Sequence, residues 1–455
     1  MLHKVGLTIA GIALILAFQP AGRAQSTFGS ITGTVKDPSG AIIPNASVQV
    51  TNEGTGAVRK VSTGSTGVFN VPSLDVGAYS LRVTAKGFTT YSRRNLELTA
   101  NQIVDVDVHL ALGATATVVQ VRAAPQAIAT ASSDISDQMG HTAMEQLPLV
   151  ARHDGGSGGI YTLVTLSAGS AKQPTSSLPV IQGARLETGT MPTMDGIAVM
   201  AYIQGAGPVQ PSMDSIQEVK EESVDAPAEF ATAANIQVVT HGGTNQFHGS
   251  AYWDYNSNNL NARNFFNKTV PFRVYNNYAA SVGGPIKKDK LFFFADYEGS
   301  REAATVPVVE SVPLPAWRNG DFSSLLPKTQ LVNPLTGQNF AGNMIPAGMI
   351  SKVSQNIQSY AYPLPNTGAP GSVSNNWSEL VPGNTGFTHY DDITGRVDYN
   401  ATSRDSLFAR LSWRRLPLTA AGIPYPLFRD QLRRSKSGVF SWTHSVSPTV
   451  LNEFR

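Results

Sequence analysis

The sequence contains no cysteine among its 455 residues. A chain without cysteine has no disulfide bonds, no thiolate metal site and no cysteine nucleophile, so its stability must come from burial and β-pairing. Charged residues make up only 15% of the chain, and the formal net charge is +2. Because lysine and arginine are scattered rather than clustered, we expect no nucleic-acid partner.

Long apolar runs are missing after residue 18. Residues 5–18 are mostly apolar, and the small residues Gly22 and Ala24 follow, so residues 1–24 are predicted to be a cleaved signal peptide. The alternative is a membrane anchor, but the run is shorter than the roughly 20 residues that a membrane helix needs. Membrane insertion of the mature chain would therefore require a β-barrel.

Glycine and proline are abundant, with 41 and 28 residues, and they separate short alternating runs over residues 26–112. This pattern predicts a β-sandwich with strands at residues 31–36, 46–51, 67–71, 79–84 and 103–110. In the last strand, the alternation places Asp105 and Asp107 on a solvated face rather than in a metal site.

Residues 114–243 have weaker periodicity and predict a mixed α+β domain, with a strand at 117–121 and a short helix within 134–147. One acidic stretch is expected to form a solvated face. It contains Glu218, Glu221, Glu222, Asp225 and Glu229. A glycine-rich segment at 155–159 fits a nucleophile-elbow pattern, but no strand pattern precedes it, so we expect a loop.

None of the eight histidines begins a zinc-peptidase motif, and no phosphate-binding glycine pattern lies between a strand and a helix. We therefore predict that the protein is not an enzyme and uses neither a cofactor nor a metal.

Residues 244–455 contain runs of about ten residues that alternate between apolar and polar side chains, as in membrane β-barrels. The clearest runs are residues 392–399 and 407–414, where the apolar face should contact lipid and the polar face the lumen. A soluble sandwich shows the same alternation with its apolar face inward. The links, however, alternate between short turns and long stretches at 300–387 and 416–435, which favours a transmembrane barrel. We count about seven strands, whereas barrels close with even numbers, so we expect a truncated barrel.

Motifs near the N-terminus resemble a known domain family. They are ITGTVKD at 31–37, PNASV at 44–48, YSLRV at 79–83 and GF at 87–88. These residues are similar to the carboxypeptidase regulatory-like domain. The resemblance implies a transthyretin-like or carbohydrate-binding-like sandwich, and it does not imply peptidase activity.

Further motifs resemble Oar-like TonB-dependent receptors, and together they cover nearly all of the mature chain. They include EQLP at 145–148, QGAR at 182–185, MDGI at 194–197, DSIQEV at 214–219, GTNQFHGS at 243–250, GGPIKKDKLFFF at 283–294 and YPLPN at 362–366. Each motif is weak alone, but their order is specific. Residues 150–154 and 233–235 depart from the family pattern and indicate different local packing.

The resemblance implies a mainly β receptor in the outer membrane, with a plug at residues 114–243 inside a barrel that starts at residue 244. Such a receptor contacts TonB and the outer-membrane lipid, and it imports a large ligand such as an oligosaccharide or a peptide. A carbohydrate-binding or adhesive surface protein is the alternative.

Two sets of site residues are expected. Amphipathic aromatic residues of the long loop should contact the ligand, with local loop packing as the alternative role. They are Trp317, Tyr360, Tyr362 and Trp377. The β-branched segment 115–121 should contact TonB by strand pairing, with an ordinary edge strand as the alternative. Its key residues are Thr117, Val118, Val119 and Val121.

Overall fold

The computed structural model describes residues 27–113, 118–121, 135–146, 159–172, 179–185, 189–199, 211–224, 232, 234–263, 265, 269–382, 389–421, 428–447 and 450–455. The predicted signal peptide, Thr117, Asp225, Glu229 and residues 155–158 lie outside these ranges. Three successive parts are called the sandwich (residues 27–121), the insert (residues 135–241) and the wall (residues 248–454).

The sandwich pairs its strands in two sheets. Its strands are β1 (Gly29–Lys36), β2 (Ser47–Asn52), β3 (Val58–Ser62), β4 (Val68–Leu74), β5 (Gly77–Thr84), β6 (Thr90–Leu98), β7 (Ile103–Asp105), β8 (Val108–His109) and β9 (Val118–Val121). One sheet has the order β4-β1-β7, with β8 also paired to β1, and the other has the order β3-β2-β5-β6-β9. A continuous apolar core between Ile31 and Leu110 fills the space between the sheets.

The predicted strand at residues 103–110 is interrupted, which corrects the sequence interpretation. The ladder of β7 ends at Asp105, although Val106 still donates a hydrogen bond to the carbonyl of Thr32 at 2.9 Å. A Cβ on Gly33 would lie 2.1 Å from the carbonyl oxygen of Val106, so the close approach of β1 requires glycine there. Asp105 and Asp107 are exposed, as the alternation predicts. Strands β3 and β6 were not predicted.

The insert has a five-stranded sheet with the order β10-β16-β17-β14-β15 and a three-stranded sheet with the order β11-β12-β13. Its elements are β10 (Ile135–Gly140), α1 (His141–Glu145), β11 (Ser170–Lys172), β12 (Pro179–Ile181), β13 (Ala184–Arg185), β14 (Thr190–Met194), β15 (Ile197–Ala198), β16 (Ile216–Val224) and β17 (Ala234–Thr240), with 3₁₀ turns at Gly159–Leu166 and Met213–Ser215. The short helix expected within 134–147 is confirmed by α1, and residues 135–140 before it pair with β16 as a strand.

The wall is a single antiparallel sheet with the order β18-β19-β20-β22-β23-β24-β25, and β21 pairs with the far end of β20. Its elements are β18 (His248–Ser257), β19 (Arg273–Lys287), β20 (Leu291–Glu310), α2 (Pro315–Arg318), α3 (Lys352–Ala361), β21 (Trp377–Pro382), β22 (Tyr390–Asn400), β23 (Asp405–Ala421), β24 (Phe428–Ser447) and β25 (Val450–Phe454), with 3₁₀ turns at Asn258–Leu260, Ser323–Leu325, Ala341–Asn343 and Ala347–Met349. The long connection expected at 416–435 is wrong, since strand pairing continues to Ala421 and resumes at Phe428.

The side chains of the wall are distributed in the opposite way from those of a soluble sheet. Large apolar side chains point outward, and examples are Trp253 at 68% exposure and Leu411 at 74%. Polar side chains on the other face are buried, including Asn277 at 0% and Arg410 at 1%. This distribution confirms the predicted faces and is the one expected where the surrounding solvent is lipid.

No helix in the described residues is long and apolar enough to cross a membrane.

Candidate functional site at the contact between insert and wall

A two-residue turn presents the central residue of the site. Asp195 and Gly196 join β14 to β15 and have φ values of 50° and 76°. A two-residue hairpin turn with two positive φ values favours Asp-Gly, since aspartate tolerates this region and glycine adopts it freely. The turn places the Asp195 side chain, 2% exposed, beyond the end of the insert sheet.

Two arginines from neighbouring wall strands converge on Asp195. Nε of Arg410 donates to Oδ2 at 2.6 Å, and Nη1 of Arg396 lies 3.4 Å from Oδ1. Thr240, at the end of β17, donates its backbone N–H to Oδ1 at 2.9 Å. Arg396 and Arg410 are cross-strand partners on β22 and β23, so the wall presents them together as an arginine pair.

The charges of this site compensate one another. Burial alone would raise the pKa of Asp195, but Arg396, Arg410 and the hydrogen bonds from Thr240 hold that pKa below its usual value. Arg396 is also bound by the carboxylate of Asp398 at 2.8 Å. Removal of one partner from a buried ion pair leaves an uncompensated charge, which makes the contact sensitive to any movement of the turn.

A second contact joins the insert to the wall nearer the long connections. Ser212 donates its hydroxyl to Asp296 on β20, and Ser250 on β18 donates to Asp214. Ser212 also caps the 3₁₀ turn Met213–Ser215 by accepting the N–H of Ser215. The segment before β16 is therefore fixed to the wall by short polar side chains.

In the part of the acidic stretch that the structure describes, Glu218, Glu221 and Glu222 are buried, so the solvated face predicted for these three residues is wrong. Glu222 is 0% exposed, and its charge is compensated by Lys220, whose Nζ lies 2.9 Å from Oε1. The side-chain amides of Asn235 and Gln237 donate to Oε2 of Glu222. Glu221 accepts the hydroxyl of Ser170 at 2.6 Å. Asn235 and Gln237 come from the neighbouring strand β17 and Ser170 comes from β11, so the acidic stretch alone does not reveal these partners.

Glu218 links the insert to the sandwich. It is 4% exposed and accepts the N–H of Ala100, in the turn between β6 and β7, at 3.1 Å. Burial is the largest influence on this carboxyl and raises its pKa to about 7, although the Ala100 hydrogen bond and Lys220 oppose the rise. Gln217 also donates to the carbonyl of Val76 at 3.2 Å.

The sandwich also touches the short turns of the wall. The N–H of Asn245 donates to the carbonyl of Gly54 at 2.9 Å, and Asn245 binds Asp289 in the β19–β20 turn through two hydrogen bonds. A Cβ on Gly56, which has a φ of +72°, would lie 2.5 Å from Oδ1 of Asp289. Arg59 donates to the carbonyl of Ser403 in the next short turn.

The four aromatic residues expected to contact a ligand lie in different settings. Tyr360 on α3 is 74% exposed, whereas Trp377 is 3% exposed and belongs to a small core with Val312. Trp317 is half-buried and stacks on Phe322 with ring centroids 5.5 Å apart. Tyr362, directly after α3, is half-buried.

The described part of the segment expected to contact TonB forms a strand. Residues Val118–Val121 pair in parallel with β6, with Val118 opposite Thr90 and Val121 opposite Arg93. The strand is the edge of its sheet in the described residues. This placement agrees with the edge-strand alternative and leaves the outer edge of β9 available for pairing.

The sequence interpretation missed the central role of Asp195. The Asp-Gly pair between short apolar runs is a hairpin signal. Its arginine partners are 201 and 215 positions further along the chain, so no local pattern predicts the contact.

Two family models match the chain. Residues 30–111 match the carboxypeptidase regulatory-like domain, and residues 239–455 match the outer membrane beta barrel domain. The second match covers the wall and places it in the outer membrane.

The chain is also similar to individual known proteins, one by sequence and two by structural alignment. The TonB-dependent transporter Oar of Myxococcus xanthus is 27% identical over 314 residues, which are 66% of this chain and 29% of that protein. The chain therefore spans less than a third of that relative's length. The siderophore receptor PirA of Acinetobacter baumannii aligns with a TM-score of 0.40 at 14% identity, over 68% of this chain and 37% of that chain. PirA of Pseudomonas aeruginosa aligns with a TM-score of 0.35 at 11% identity, over the same shares.

The two domain matches agree with the order of the sandwich and the wall along the chain. The chain is similar in sequence to the TonB-dependent transporter Oar, and it contains a carboxypeptidase regulatory-like domain match followed by an outer membrane beta barrel domain match.

Proposed function

We propose that the protein is a TonB-dependent outer-membrane receptor that binds a large ligand outside the cell and imports it without covalent chemistry. The observation that carries this proposal is the insert bound to the polar inner face of the wall through Asp195, Arg396 and Arg410. A domain held in this way blocks the lumen, and a limited number of polar contacts must open before a ligand can pass.

In this proposal the insert is the plug, with residues 114–243 as its extent, and the wall is part of the barrel. The short turns at residues 288–290 and 401–404 face the periplasm, and the long connection between β20 and β22 faces outward. The sandwich touches the short turns and is therefore periplasmic.

The proposed energy source is TonB, and its contact is the segment 115–121. Strand β9 offers an edge to which a partner strand can add by backbone hydrogen bonds. For the ligand, Tyr360 is the most accessible of the four aromatic candidates, whereas Trp317, Tyr362 and Trp377 contribute to folding of the outer loop.

Two measurements test the proposal in cells that carry the intact gene. Fractionation should recover the protein in the outer membrane, and its gel mobility should change on boiling, as expected of a folded barrel. Growth or uptake that depends on this gene should also require TonB. Recovery in the soluble periplasm would contradict the barrel, and a phenotype independent of TonB would contradict the energy source.

A further inference from the structure

Three carboxylates lie together on the inner face of the wall. Asp296 and Glu298 are two residues apart on β20, and Glu298 is directly opposite Asp392 on β22. They are 3%, 4% and 4% exposed, respectively. We call Asp296, Glu298 and Asp392 the acidic band.

The negative charge of this band is poorly compensated. Glu298 accepts hydrogen bonds from Asn277 at 3.0 Å and from the hydroxyl of Tyr390 at 2.7 Å, and both donors are neutral. Asp392 lies 3.5 Å from Nη1 of Arg414. Like charges directly opposite one another destabilise a sheet, and burial strengthens the repulsion because the local dielectric constant is low.

Acceptor atoms in the same place lack donors. Oδ2 of Asp296, Oδ1 of Asp392 and Oδ1 of Asn277 are buried and have no hydrogen-bond partner among the described residues. Buried acceptors are normally satisfied, so each such atom needs an explanation. Three unsatisfied acceptors beside an excess of negative charge call for a ligand that brings both N–H donors and positive charge.

We propose that the acidic band binds an ammonium or guanidinium group of the ligand. The inference rests on the proposed import function and specifies the ligand class. A bare metal ion fits less well, because the described residues contain no group of three acidic or histidine side chains arranged to hold one. The adjacent Arg414 guanidinium lies 4.6 Å from the ring centroid of Tyr390, so this wall already accommodates a planar cation.

The band also touches the insert. Asp296 accepts the hydroxyl of Ser212, which caps the turn leading into β16. Ser212 donates to Oδ1, so a cation at the unpartnered Oδ2 shares this carboxylate with Ser212. The band therefore places the ligand next to one of the polar contacts that hold the insert against the wall.

The test uses the detergent-solubilised, heat-modifiable protein made from the intact gene, with spermidine and agmatine as cationic probes and 1,5-pentanediol as the neutral control. The two amines should raise the midpoint of thermal unfolding in a saturable way, since a ligand that binds only the folded state stabilises it. Glu298→Gln and Asp392→Asn should each weaken that binding about tenfold or more, because each removes a buried charge partner. Glu379→Gln, at an exposed carboxylate of β21, should leave it unchanged.

Two outcomes overturn the inference. In the first, the amines cause no saturable change in the unfolding midpoint of the wild-type protein, and its infrared spectrum shows a protonated-carboxyl signal that disappears in Asp296→Asn. The acidic band would then be neutralised by protons. The other is an equal shift in the wild-type protein and in both band variants, which would place the amine elsewhere. Heat modifiability and dependence on TonB are measured separately, so either outcome can occur while the proposed function stands.

Discussion

At Asp195, two guanidinium groups and the backbone N–H of Thr240 meet at one carboxylate. Its position depends on the Asp-Gly turn, and its charge depends on the arginine pair. Turn geometry and ion pairing are therefore coupled at a single residue.

Asp195→Asn should weaken the contact between insert and wall by about 3–5 kcal/mol, the usual cost of leaving a buried charge without its partner. Asparagine keeps an acceptor for Thr240, so the turn itself should survive. Hydrogen exchange in residues 190–198 of the solubilised protein is the measurement, and faster exchange is expected. Asp137→Asn is the control, at an exposed carboxylate of the same sheet. Equal exchange in the two variants would show that the ion pair does not hold the insert.

Glu218 makes the contact between sandwich and insert depend on pH. Its folded pKa of about 7 lies above the ordinary value of 4.5, so the stability it contributes is present below pH 4.5 and is lost as the pH rises through 7. The difference corresponds to about 3 kcal/mol. The amide of Ala100 should exchange faster at pH 8 than at pH 5.5, after correction for intrinsic rates.

Glu218→Gln should remove this pH dependence, since the amide oxygen still accepts the Ala100 N–H without carrying a charge. Glu97→Gln, at an exposed carboxylate of β6, is the matched control. A corrected pH dependence that persists in Glu218→Gln would assign the effect to another group.

At the scale of elements, the wall strands show which solvent surrounds them. Leu411 is 74% exposed on β23, while the adjacent Arg410 is 1% exposed. In water this arrangement exposes apolar surface and buries charge, and in lipid it is the favourable one.

Leu411→Arg should destabilise the folded wall by about 2–4 kcal/mol, the cost of a cation on the lipid-facing side near the bilayer centre. A smaller heat-modifiable fraction in outer-membrane preparations is the expected result. Gln355→Arg introduces the same residue at an exposed position of α3 and should have no effect. An undiminished heat-modifiable fraction in Leu411→Arg would argue that this face contacts water.

Strand β9 supports a prediction about energy coupling. Val119→Pro should break strand pairing at the position opposite Tyr91, because proline has no N–H to donate. Uptake by the intact receptor and crosslinking of residues 118–121 to TonB should both be lost, whereas Val119→Ala should retain both. If uptake survives Val119→Pro and the crosslink never forms, the segment is only an edge strand of the sandwich.

At the scale of the whole molecule, the sandwich is the part that can be separated. Its main core lies entirely between Ile31 and Leu110. Residues 26–112 should therefore fold alone and unfold cooperatively, as judged by dispersed NMR signals and a single denaturant transition. A disordered spectrum would show that the contacts to Glu218 and Asn245 are needed for folding.

How much could be predicted from the sequence differs among the three parts. The two-residue period of the wall sequence predicts which side chains share a face of the sheet, because successive side chains of a strand point to opposite faces. The insert is less predictable. Burial of Glu222 depends on Lys220, Asn235 and Gln237 together, and the site at Asp195 depends on arginines in distant strands. Local patterns carry no information about such pairings.

The acidic band and the arginine pair lie at different heights along the same strands. On β20, Glu298 is further from the short turn than Phe294, which pairs with Arg396. Fixed charges of opposite sign at two heights create an electric field along the lumen, partly neutralised while Asp195 covers the arginines. Withdrawal of the insert would steepen this field. A zwitterionic molecule would then align with its positive end toward the long connections and its negative end toward the short turns.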